Sequence, residues 1–137
     1  MDQYQYNPII RRLDLVSNAT TTLFIAGATV GGQRVVTVNS QGQVLHADHT
    51  MAGHAGRIAG LTLTSALAGE AVTVRRAGLM TDPGWHWDPD QPRLFLSGNG
   101  TLTQTVPGSG FVCVVGFCLS ATQLFIDIQP AITLQTT

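Results

Sequence analysis

Three histidines and an aspartate fall within nine residues of one another: His46, Asp48, His49 and His54. Imidazoles and a carboxylate are the side chains that bind zinc and similar metals, but such a site needs ligands spaced to converge on one point. Here the loop would have to fold back on itself, and no second cluster supports it, so solvated loop histidines are the expectation and no metal is assigned. Cys113 and Cys118 stand five apart in an apolar run. Strict strand alternation sends them to opposite faces, and a disulfide would need a sharp bend near Gly116. Small buried apolar side chains are the simpler role.

The segment Trp85, His86, Trp87, Asp88, Pro89, Asp90 is the most conspicuous local feature. If extended, period two puts both indoles on one face and both carboxylates on the other parity. Paired indoles beside carboxylates suit a sugar ring, and two carboxylates can hydrolyse a glycoside. Yet Asp88 and Asp90 lie two residues apart in a Pro-bounded turn, without the buried acid that chemistry uses. Trp85 and Trp87 are therefore read as core-closing side chains or interface anchors. No nucleophile motif stands out, and Gly98, Asn99 and Gly100 read as a turn rather than a phosphate cradle. The chain is expected not to be an enzyme, and no cofactor is implied.

The elements that would position these residues are strands. The last third carries runs of four to nine residues, rich in β-branched and aromatic types and punctuated by Gly, Pro, Ser or Asn. In the run 123–128, Leu124, Ile126 and Ile128 share one face while Phe125 and Asp127 take the other. The run 111–119 is almost continuously apolar, which predicts a central strand buried on both faces. These runs predict an antiparallel meander on which the rest packs. Upstream, 13–16 and 20–26 are candidate strands broken at Ser17 and Asn18. Segments 33–38 and 43–47 form a hairpin, 48–56 is a loop with room for one helical turn, and 57–64 is a strand with a bulge at Gly60. In 70–77, Val72 and Val74 point inward. The expected fold is all-β: a single compact antiparallel barrel or sandwich over 13–137, with an extended N-terminal arm over 1–12.

With 137 residues the chain is one domain, large enough to bury a core without disulfides. Only 11% of its residues are charged, Glu70 is its one glutamate, and it has no lysine. Such a surface repels neighbours poorly and suits a dense assembly. A net charge of -1 without a basic stripe argues against nucleic acid. No apolar run reaches membrane-spanning length, and the first residues carry neither a basic region nor an apolar core of a signal peptide. A protein made and kept in a cytoplasm, or in a particle assembled there, is the expected setting. In the arm, Tyr4, Tyr6, Ile9, Ile10, Arg11 and Arg12 join apolar anchors to donors for carboxylates, as interfaces do.

From Gln41 onward the pattern resembles a domain widespread among structural proteins of tailed bacteriophages. The matching features are a Gly-Gln-Val hairpin at 42–44, Ala-Gly-His-Ala-Gly-Arg-Ile-Ala-Gly-Leu at 52–61 and Ala-Gly-Glu-Ala-Val-Thr-Val at 68–74. They continue with Gly-Trp-His-Trp at 84–87, Thr-Leu-Thr-Gln-Thr at 101–105, Leu-Ser-Ala-Thr at 119–122 and Ile-Gln-Pro-Ala-Ile at 128–132. Over about residues 41 to 134 they resemble the small head-decoration, or capsid cement, proteins, and related modules of virion fibres. The resemblance implies a non-enzymatic virion protein on the capsid surface that bridges copies of the major capsid protein. It also implies self-association, with a homotrimer the leading expectation and a dimer the alternative. The competing expectation is a fibre or spike domain that binds a host glycan through Trp85 and Trp87.

Overall fold

The computed structural model describes residues 20–134, and the chain there is all-β. The first sheet holds β1 (Thr21–Ile25), β2 (Val35–Val38), β3 (Val44–His46), β4 (Ile58–Thr62) and β5 (Ala71–Arg75), in the order β1-β5-β4-β2-β3. The second holds β6 (Ala77–Thr81), β7 (Arg93–Leu96), β8 (Leu102–Thr103), β10 (Val114–Ser120) and β11 (Gln123–Asp127), in the order β6-β11-β10-β7-β8. A short pair joins β9 (Phe111–Val112) to β12 (Ile132–Thr133). All these ladders are antiparallel. No helix among the described residues is long and apolar enough to cross a membrane.

Local sequence explains much of this. β2 and β3 form the expected hairpin, closed by Asn39, whose Oδ1 accepts the N–H groups of Gln41 and Gln43; an Asx side chain standing in for backbone is what turn-forming asparagines do. In β5, Val72 and Val74 are buried and alternate with half-exposed Thr73 and Arg75. In β11, Leu124 and Ile126 are fully buried while Phe125 and Asp127 face outward. The bulge expected at Gly60 is present: Val36 pairs with Gly60 but Thr37 with Ile58. Gly60 has φ +148°, and a Cβ there would meet the Arg75 carbonyl oxygen at 2.2 Å. Only glycine lets β4 and β5 approach so closely.

Three expectations need correction. First, the last third is not a meander. The run 101–105 supplies β8 on the far edge, next to β7, because β10 pairs with β7 and β11 and leaves no room beside it. Second, 111–119 is not one strand buried on both faces. It breaks at Cys113 into β9 and β10, and Phe117 is half-buried while Leu119 is 52% exposed. Third, Cys113 and Cys118 do not face opposite ways; both lie in one core cluster. A register shift between Val114 and Gly116 inserts one residue against β7 and reverses the inward parity.

Nor do the sheets close into a barrel, because each retains two edge strands. The first sheet does curl. Its two edges meet at one parallel bridge, Ala26 to Val44, where the Gly27 N–H donates to the Val44 carbonyl at 2.8 Å. One bridge is not a ladder, so the edges stay open. Adjacent residues of β2 divide the interior: Val35 belongs to one cluster and Val36 to another. The Val35 cluster joins Leu61 of the first sheet to Leu94, Leu96, Leu124 and Ile126 of the second. The Val36 cluster lies on the opposite face of the first sheet, under Ala26, Val30 and Ala66. Only Arg76 separates β5 from β6, so one extended stretch passes from the first sheet to the second.

Candidate functional site

The histidine loop is organised by backbone groups rather than by a common centre. His46, at the end of β3, accepts the Gly31 N–H on Nε2 at 2.9 Å, and its Nδ1 faces Asn99 Oδ1 at 2.8 Å. His54 accepts the Asp48 N–H on Nδ1 at 3.1 Å, and His49 donates from Nδ1 to the Ser109 carbonyl at 3.0 Å. Asp48 caps its own turn, with Oδ1 taking the Thr50 hydroxyl at 2.7 Å and the Thr50 N–H at 2.9 Å. Its other oxygen takes the Asn99 N–H at 3.2 Å. The Thr50 hydroxyl, then the Thr50 N–H, hold the Asp48 carboxyl below its ordinary pKa; Asn99 and the nearby His49 add to the effect and burial opposes it. Among the described residues no three His, Cys, Asp or Glu side chains gather around one point.

This network is a latch between the sheets. The single-turn 3-10 segment Gly98–Gly100 follows β7 of the second sheet, and Asn99 there contacts both His46 and Asp48 from the first. Arg34 adds a bond from Nη1 to the Asn99 carbonyl at 2.9 Å. Gly100 has φ +73°, and a Cβ would come within 2.7 Å of the Val35 carbonyl oxygen. A second tie runs from the Gln33 side-chain amide to Asp82. That bond, with the Gly84 N–H, holds the Asp82 carboxyl below its ordinary pKa.

Trp85 and Trp87 stay side by side although their segment is irregular. Their ring centroids are 5.8 Å apart with planes tilted by 46°, and both are half-buried against the Val35 cluster. The Trp85 N–H donates to Asp82 and the Trp87 N–H to Ala121, which bends the segment over the open end of that core. Tilted indoles with one side spent on the core do not present one flat stacking plane. The Asp88 and Asp90 carboxylates do not act as a facing pair: Asp88 Oδ1 accepts the Asp90 N–H in an Asx turn.

A cleft of about 220 Å³ opens beside Ile58, Cys113, Ile128 and Pro130. Its one nucleophile is Cys113, and burial pushes that thiol up to about 11, so it is protonated at neutral pH. Burial also raises the Cys118 thiol, with the charge of Asp88 contributing after it.

The arm residues Tyr4, Tyr6, Ile9, Ile10, Arg11 and Arg12 lie outside the described residues. What sequence reasoning missed is the exposed apolar surface. In β1, Phe24 turns toward the Val36 cluster, so Leu23 and Ile25 point outward and are 68% and 44% exposed. On the second sheet, Leu79 and Phe125 are also exposed. The signal was legible as apolar residues on both parities of a strand, which either fill two cores or leave one face uncovered.

No protein-family model matches this chain, and no curated protein matches it.

Proposed function

We propose that this is a non-enzymatic virion structural protein that decorates a bacteriophage capsid and stabilises it by bridging coat subunits. The two sheets act as a compact sandwich carrying an N-terminal arm over 1–12. The observation that carries the reading is β1. It is an edge strand of the first sheet, and Leu23 and Ile25 stand outward from it beside exposed Ala71. Large apolar side chains on an edge strand, in a chain of such low charge, make a surface suited to burial against a partner. Burying each of them against a coat subunit is worth about 1.5–3 kcal/mol. The two inter-sheet ties and the absence of lysine suit a rigid, closely packed shell component.

In this role the partners are the major capsid protein and further copies of the chain, with a trimer the leading arrangement. The arm adds contact area through Tyr4, Tyr6, Ile9, Ile10, Arg11 and Arg12, and Trp85 and Trp87 close the core or meet a neighbour. The test is to add purified protein to shells that lack it, then to count bound copies and follow the shell's thermal melt. Copies comparable to the coat protein and a higher melting temperature are expected. A few copies per particle would indicate a fibre component instead, and no binding would overturn the reading.

A further inference from the structure

The outer face of the second sheet carries four large apolar side chains. Leu79 of β6 pairs with Phe125 of β11, and Phe125 pairs with Phe117 of β10. The Phe117 and Phe125 rings lie 5.4 Å apart. Leu119 of β10 completes the patch, and Leu119, Leu79 and Phe125 are 52%, 46% and 37% exposed. Arg93 of β7 pairs with Phe117 on one side of the patch, and Asp127 lies two residues beyond Phe125 on the other. These two are the only charged residues in the sheet's five strands. Both are exposed, and among the described residues neither side chain has an ion-pair or hydrogen-bond partner.

A face with one acid, one base and apolar residues between them can meet a second copy of itself if a two-fold axis brings unlike charges together. The spacing of this face allows it. Adjacent strands lie about 4.8 Å apart and residues advance about 3.4 Å along each. On that grid Leu79 is about 8 Å from Asp127, and Leu119 is about 8 Å from Arg93. Leu79 is about 14 Å from Arg93, and Leu119 is about 14 Å from Asp127. Exchanging Leu79 with Leu119 and Asp127 with Arg93 therefore leaves all four spacings unchanged. One two-fold axis in the plane of the contact satisfies both exchanges, and it passes between Phe117 and Phe125.

We propose that the outer face of the second sheet pairs with the same face of a second copy of this chain. Arg93 of each chain meets Asp127 of the other, Leu79 meets Leu119, and Phe117 meets Phe125. The strands of the two copies then cross steeply, toward the orthogonal class of sheet packing. The face measures about 19 Å across its strands and about 17 Å along them. That is well under the roughly 800 Å² each partner gives a standard interface, so the pair belongs to the weak class, with a dissociation constant of about 10–100 μM. The pairing rests on the self-association proposed above and gives it a surface and a symmetry. A two-fold patch is used up by one partner, so a trimer would be built from other contacts.

The experiment measures the solution mass of the full chain by sedimentation, from micromolar to about millimolar concentration. The native chain is expected to pass from monomer to dimer. Arg93→Asp sets two acids against each other at both ends of the contact, and Asp127→Arg sets two cations there. Each alone should weaken pairing ten-fold or more, with the thermal melt unchanged because both side chains are exposed. An equimolar mixture of the two variants should dimerise again, since each chain then offers the other both opposite charges. Misfolded variants could not give that recovery. Phe125→Ser should weaken pairing without any change of charge. A native chain that stays monomeric at the highest concentration would leave the face to another occupant and overturn the proposal. So would an oligomer indifferent to the charge changes, or a mixture that pairs no better than its two components. No shell is present in these measurements, so capsid binding and this contact can fail independently.

Discussion

His46 Nδ1 and Asn99 Oδ1 lie 2.8 Å apart, joining β3 of the first sheet to the turn that follows β7 of the second. Because His46 Nε2 accepts the Gly31 N–H, the neutral ring must carry its proton on Nδ1 and donate it to Asn99. One imidazole thus fixes three segments, which explains how a histidine in a loop-rich stretch can be structural without a metal.

His46→Ala is expected to destabilise the domain by about 1–3 kcal/mol, since it strands the Gly31 N–H and the Asn99 oxygen together. Denaturant melts of His46→Ala, Asn99→Ala and the double variant form a cycle. The double variant should cost clearly less than the sum of the singles. Simple additivity would mean that the two sheets are not latched here.

Acid should loosen the same region. Hydrogen bonds hold the Asp48 and Asp82 carboxyls below their ordinary value of 3.8, so the folded state binds their protons less readily than the unfolded state. The stability they contribute is therefore complete above the unfolded carboxylate range, about pH 4, and is lost as pH falls through the depressed native values. Thermal melts between pH 6 and pH 2 should show this loss, and Asp48→Asn together with Asp82→Asn should flatten the profile. An unchanged slope in the double variant would place the acid sensitivity elsewhere.

The alternation of Val72 with Thr73, of Leu124 with Phe125, and the bulge at Gly60 were all legible in the sequence, because each depends on neighbours two residues away or on one backbone constraint. The shared face of Cys113 and Cys118 was not. It follows from the extra residue that β10 carries against β7, and that partner lies about twenty residues upstream. Strand order was hidden for a different reason: 93–96 was not read as a strand, so the turn at Gly98–Gly100, closed by the Ser97 N–H on the Thr101 carbonyl at 2.8 Å, had no upstream strand to return 101–105 against. The pairing of His46 with Asn99 spans 53 residues and has no local signature at all.

Thiol chemistry should report global opening. Cys113 is 1% and Cys118 4% exposed, and burial raises both thiols, Cys113 to about 11. At pH 7.5 the native protein should react with an aromatic disulfide reagent only as fast as it unfolds, and reach two thiols per chain in denaturant. A fast reaction of either cysteine in the native state would show that the Val35 cluster opens locally at β9 and β10.

Leu23 and Ile25 offer the sharpest test of how the protein is used. Both point out of β1, so Leu23→Ser with Ile25→Thr should leave the core intact and shift the thermal melt little, because exposed substitutions away from special contacts cost within about 0.5 kcal/mol. If β1 seats on a coat subunit, losing two apolar contacts of about 1–2 kcal/mol each should weaken shell binding by roughly thirty-fold or more. Deleting 1–12 provides the parallel measurement on the arm. A chain that loses binding through β1 alone docks by its sheet, and one that loses it through 1–12 alone docks by its arm. Losses in both establish two contacts on the shell, the arrangement by which one small domain bridges neighbouring subunits. Binding that survives the β1 pair and the arm deletion together would remove both surfaces from the capsid reading and leave Trp85 and Trp87 as the remaining candidates for a partner.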